Sequence, residues 1–167
     1  MILTTALVLA SAGCIQLEKT GPQTPDVSML DLYVSDSSGE NVENPVYMKG
    51  DVVFFTLKYH DVENFKSLDV SSIQYEFSRL KPVGMDVHQG LKLDGITFLD
   101  DGGSSISSVT LSPGESVLLS LVIPDTQEMW DAITAESPSN QSVQFNLVIK
   151  INGLTVPLQS NELTVTV

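Results

Sequence analysis

The sequence predicts an all-β domain: an antiparallel β-sandwich of about seven to nine short strands, with one short helix near Trp130. Three observations carry that reading. Apolar residues recur at period two in segment after segment, the mark of strands with one face buried. Clusters of Gly, Pro, Asn, Asp and Ser separate those segments as turns. Strands and helices do not alternate as a parallel sheet with crossover helices would require.

Taken in order, the chain begins with an uncharged apolar run, Ile2 to Ala10, followed by Ser11-Ala12-Gly13-Cys14. That run is much shorter than the roughly 20 residues of a membrane-spanning helix. It has the length of the hydrophobic part of a cleavable signal, which ends in small residues at the cut. Residues 1–13 are therefore expected to be a signal peptide. From Cys14 to Asp26 the composition is that of a flexible tether, Thr20-Gly21-Pro22-Gln23-Thr24-Pro25 above all. Residues 27–167 form the folded domain.

Within the domain, Leu30, Leu32 and Val34 alternate with Asp31 and Tyr33 as a half-buried strand. Ser35 to Asn44 reads as a loop. Lys49-Gly50-Asp51 turns the chain into Val52–Tyr59, apolar on both faces at first and so expected to be a central strand. A polar loop covers His60 to Asp69. Ile73, Tyr75 and Phe77 mark the next strand, ending near Lys81-Pro82. Leu91, Leu93, Ile96, Phe98 and Leu99 imply one or two short strands, and Asp100-Asp101-Gly102-Gly103 a turn. Thr110 to Glu115 is a turn before Ser116–Ile123, whose Val117, Leu119, Leu121 and Ile123 share a face; Pro124 stops that strand. Asp125 caps a short helix with Met129, Trp130 and Ile133 at helical spacing. Val143 to Ile151 is a strand, and Asn152-Gly153 predicts a tight type I′ hairpin with positive φ at both residues. The hairpin returns through Leu154–Val156 and then Leu163, Val165 and Val167, with Pro157 at a bulge or edge position.

Two resemblances attach to these residues. Ser11-Ala12-Gly13-Cys14 resembles the lipobox of prokaryotic lipoproteins, with Ser11 at the place most often held by Leu. That resemblance implies cleavage before Cys14, a covalent lipid on its sulfur, and an extracytoplasmic domain anchored to the membrane at the cell surface or in the periplasm. The runs Leu30-Asp31-Leu32-Tyr33-Val34, Tyr47-Met48-Lys49-Gly50-Asp51-Val52-Val53 and Leu111-Ser112-Pro113-Gly114-Glu115-Ser116-Val117 resemble immunoglobulin-like domains of prokaryotic cell-surface proteins. The nearest are the CARDB group and the late-embryogenesis-abundant-like group. Such domains bind or space rather than catalyse.

The chain carries 21 Asp and Glu against 8 Lys and Arg, a net charge of −13, which repels phosphate backbones and excludes nucleic acid as a partner. Cys14 is the only cysteine, so no disulfide forms within a monomer. The same fact removes the thiolate that a blue-copper site needs. His60 and His88 are the only histidines, and no Gly-x-Ser-x-Gly motif accompanies them. An enzyme is therefore not expected, and neither is a cofactor other than the lipid. Met85 with His88, or Met48 with His60, gives no recognisable copper spacing. Asp61 and Glu63, with Asn64, lie in one predicted loop; Asp100 and Asp101, with Ser104, lie in another. These are the candidate calcium ligands, set against ordinary turn chemistry. Asn140-Gln141-Ser142 is the one glycosylation-type sequon. Trp130, the only tryptophan, either caps the core or anchors a partner. The expected role is a non-catalytic binding or spacer module whose partner is another envelope protein or a surface ligand. The alternative is an adaptor subunit of an envelope or transport assembly, and a hydrolase or metal-binding protein comes third.

Overall fold

The computed structural model describes residues 21–70, 73–79, 95–126, 130–131 and 142–166, with 73–79 described as backbone. A 3-10 turn, Val27–Met29, leads into the strands; Asp26 caps it by accepting the Ser28 N–H at 2.9 Å. The strands are β1 Leu30–Ser35, β2 Val46–Met48, β3 Val52–Tyr59, β4 Leu68–Asp69, β5 Ile73–Arg79 and β6 Thr97–Leu99. They continue with β7 Ser105–Ile106, β8 Thr110–Leu111, β9 Ser116–Val122, β10 Ser142–Ile151, β11 Leu158–Gln159 and β12 Leu163–Thr166.

These twelve strands form three sheets. The first runs β1-β3-β9-β6-β7. In it β3 is central, paired antiparallel with β1 (Leu32 opposite Leu57) and with β9 (Leu57 opposite Val117). In the second, the long β10 has β5 on one edge and both β12 and β11 on the other. The strand β2 then joins β12 in parallel, Tyr47 opposite Val165. A two-stranded sheet, β4 with β8, stands apart from both.

Both large sheets contribute to one core. Phe55, Leu57, Tyr59, Leu119 and Leu121 come from the first, and Phe145, Leu147, Ile149, Leu163 and Val165 from the second. Each such side chain contributes about 1.5–3 kcal/mol when fully removed from water. The period-two pattern decides which face this is: along β3, Val53, Phe55, Leu57 and Tyr59 are buried while Lys58 is exposed. Asn161, between β11 and β12, ties the sheets together, its Oδ1 accepting the Val34 N–H at 2.6 Å. The break between β11 and β12 is bridged by Ser160, whose Oγ accepts the Leu147 N–H at 2.9 Å in place of a ladder carbonyl.

The architecture corrects the sequence reading in several places. Among the described residues there are twelve strands rather than seven to nine, in three open sheets, and the β2–β12 pairing makes them not purely antiparallel. The extra strands β2, β4, β7, β8 and β11 are two or three residues long. A segment that short cannot display a period, so loop-like composition concealed it. The helix expected near Trp130 is not an element among the described residues. Only Trp130 and Asp131 there are described; both are helical, and the Trp130 N–H donates to Thr126 O at 3.4 Å, while Met129 and Ile133 lie outside the described residues. Gly153 has positive φ (90°) but Asn152 does not, so the turn is not type I′. The return strand begins only at Leu158. Part of the stretch that the sequence reads as a tether is bound to the domain. Gln23 forms a parallel bridge with Phe65, its N–H to Asn64 O and its carbonyl to the Lys66 N–H, both 2.8 Å, so Gln23–Asp26 belongs to the domain.

Candidate ligand cleft

The outer face of the first sheet is less polar than a solvent-facing sheet requires. Its cross-strand row Tyr33, Thr56, Leu118, Leu99 runs from β1 through β3 and β9 to β6. Thr56 on this row is only 3 % exposed, because the loop after β1 folds back over it. The Thr56 hydroxyl lies 2.9 Å from Ser35 Oγ and 3.3 Å from the Gly39 carbonyl oxygen, and the Tyr33 hydroxyl donates to that same carbonyl at 3.3 Å.

Two turns of the same build wall this face. In Asp36-Ser37-Ser38-Gly39-Glu40, Asp36 Oδ1 accepts the N–H of Ser38 (2.8 Å) and of Glu40 (3.1 Å), and the Ser38 hydroxyl donates to it at 2.6 Å. In Asp100-Asp101-Gly102-Gly103-Ser104, Asp100 Oδ1 accepts the N–H of Gly102 (2.9 Å) and of Ser104 (2.8 Å). Both close with the same backbone bonds: the Asp N–H to the carbonyl four residues on (2.9 Å in each), and the fourth residue's N–H to the Asp carbonyl. That fourth residue is glycine in both, Gly39 at φ 89° and Gly103 at φ 77°, where a side chain is strained. The Ser38 hydroxyl, then the Ser38 and Glu40 backbone N–H groups, hold the Asp36 carboxyl below its ordinary value.

Between the turns lies a cleft of about 310 Å³. Leu99, Val117 and Leu118 supply its apolar part; Ser37, Ser116 and Asp101 are among its polar groups. This volume is at the small end of small-molecule sites. Hydroxyls and carboxylates line it and no Lys or Arg does, so it favours a compact neutral or donor-rich group and disfavours an anion.

Of the candidate calcium ligands, Asp100 and Asp101 line this cleft, whereas Asp61 and Glu63 stand in the loop after β3. Among the described residues no group of three or more His, Cys, Asp or Glu side chains is placed to hold a metal ion. Asp100 serves its own turn. His60 Nε2 meets Asp31 Oδ2 at 2.7 Å on the surface, with both side chains over a third exposed. Trp130 is 1 % exposed. Its ring packs edge-on against Phe145 (centroids 6.0 Å, 79°) and its Nε1–H donates to Pro124 O at 2.6 Å, so the indole is a core side chain and presents nothing to a partner. Cys14, Met85, His88 and Asn140 lie outside the described residues.

The sequence reading missed Asp36, Thr56 and Ser116. The first had a visible signal, the shared Asp-x-x-Gly pattern of 36–39 and 100–103. Thr56 had none, being one hydroxyl inside an apolar strand. No protein-family model and no curated protein matches the chain.

Proposed function

We propose that this chain is a lipid-anchored, extracytoplasmic binding module that works without catalysis. The observation that carries the reading is the N-terminal sequence: a short uncharged apolar run, small residues, and the only cysteine of the chain at position 14. That is the arrangement a signal peptidase and a lipid-transferring enzyme act upon. The fold supports it in two respects. Among the described residues the first domain contact is made by Gln23, shortly after Cys14 in the sequence. Its recess is a shallow hydroxyl- and carboxylate-lined cleft on a sheet face, a shape for holding a group rather than for enclosing a reaction.

The test is fractionation of cells expressing the wild-type chain and Cys14→Ser. The wild type is expected in the membrane fraction, released by detergent and not by high salt; Cys14→Ser is expected in the soluble fraction or as uncleaved precursor. Equal partitioning of the two would remove the lipid anchor from the account.

A further inference from the structure

The two turns that wall the cleft present the same position of the same motif to it. In each, the first Asp is spent on the turn itself: Asp36 Oδ1 accepts the Ser38 and Glu40 N–H groups, and Asp100 Oδ1 those of Gly102 and Ser104. The residue after it, Ser37 in one turn and Asp101 in the other, lines the cleft, and its side chain bonds to no described residue. Ser116 on β9 adds a third such side chain. It stands two residues from Leu118 and shares its side of the strand, away from the buried Val117 and Leu119. Between these polar groups the floor is aliphatic: half-buried Leu118 with its cross-strand neighbour, half-buried Leu99.

Four ligand classes fit this arrangement poorly. An anion meets the Asp101 carboxylate and, among the described lining residues, no cation to answer it. A metal ion wants several hard ligands, and no three carboxylate, imidazole or thiol groups gather among the described residues. An organic ammonium ion finds one unengaged carboxylate and, among the described lining residues, no aromatic face. A wholly apolar molecule would cover Ser37, Asp101 and Ser116 and leave them without the water they bond to.

We propose that the cleft binds one neutral sugar ring. A pyranose has an aliphatic C–H face to lay on Leu99 and Leu118 and a rim of hydroxyls. Those hydroxyls donate to Asp101 and either donate to or accept from Ser37 and Ser116. The cleft volume of 310 Å³ equals that of about ten waters, room for a single ring. Each turn is closed by its own Asp and by a glycine at positive φ, so the polar edge is set before the ligand arrives and little ordering is lost on binding. The proposal names the ligand of the binding module and rests on that reading, but not on the lipid at Cys14.

The experiment titrates the ¹⁵N-labelled full chain with the methyl pyranosides of glucose, galactose and mannose, and with glucuronate and ethanolammonium as charged controls. At least one neutral ring is expected to shift the amides of residues 37–39, 56, 99–103 and 116–118, and to bind about tenfold more tightly than either control. Ser37→Ala and Asp101→Ala, both at exposed turn positions whose folding the same spectra check, are expected to weaken that binding severalfold. Asp101→Asn is expected to narrow the gap between the neutral ring and glucuronate. Three results would overturn the inference: no shift at these amides with any of the three rings; either control bound as tightly as the best ring; or unchanged affinity in both alanine variants. A control that binds at these amides in place of the sugars removes the ligand class and leaves the binding module standing. The lipid anchor is decided separately, by the Cys14→Ser fractionation.

Discussion

Asn161 holds the two large sheets at one point, and its removal isolates the energy of that point. Asn161→Ala leaves the N–H of the fully buried Val34 without its acceptor, and the expected loss is about 1–3 kcal/mol in a urea melt. Asn161→Asp keeps an acceptor oxygen at the same place and is expected to recover part of it. Trp130 separates packing from hydrogen bonding in the same way. Trp130→Ala removes the ring from Phe145 and is expected to cost about 3–5 kcal/mol. Trp130→Phe retains an aromatic contact, forfeits the bond to Pro124 O, and is expected to lose less. Asp36 is a pH matter. Its folded-state value is lowered, so its contribution is fully present above the unfolded carboxylate value of about 3.9 and is lost as pH falls through the lower folded value. The stability gap between wild type and Asp36→Asn is therefore expected at neutral pH and should close in strong acid. A gap that stays constant down to the acid limit would mean the carboxylate charge plays no part.

At the scale of elements, β2 shows how the domain protects a sheet edge. Three residues long and held by β12 on one side, it has its last residue covered by Asp51. Asp51→Ala frees the Met48 N–H beside two exposed apolar side chains. The expected outcome is concentration-dependent association, visible by sedimentation, with a melting temperature shifted by only a few degrees. The same element shows what a sequence can and cannot reveal. The strands β1, β3, β9 and β10 were legible because each is long enough for buried and exposed residues to alternate visibly. Val46–Met48 was not, because its pairing with β12 is parallel and far along the chain. Nothing local encodes that. Asn152-Gly153 misled for the converse reason. The dipeptide favours a two-residue hairpin, but the strand that pairs with β10 starts at Leu158, so a longer loop forms and Asn152 keeps negative φ. The cleft was half legible: Asp100 and Asp101 were singled out as carboxylates, while the matching turn at Asp36 stayed hidden inside a polar loop. Only the fold brings the two turns to one face.

For the molecule as a whole, the domain and its N-terminal sequence describe complementary halves of one role. The folded part offers a cleft on one sheet face with acidic residues in its lining, on a chain with a net charge of −13. That charge opposes adsorption to anionic lipid headgroups, which gives the proposed tether a purpose. A single acyl chain holds a protein to membrane only marginally, whereas two or more signals hold it stably. The lipid proposed on Cys14 is accordingly expected to comprise more than one chain. The central claim rests on that residue, and mass spectrometry of the N-terminal peptide from membrane-extracted protein tests it most directly. The account predicts a peptide that begins at Cys14 and carries the added mass of a multiply acylated group. An unmodified Cys14, inside a peptide continuous with residues 1–13 and recovered from the soluble fraction, would contradict it.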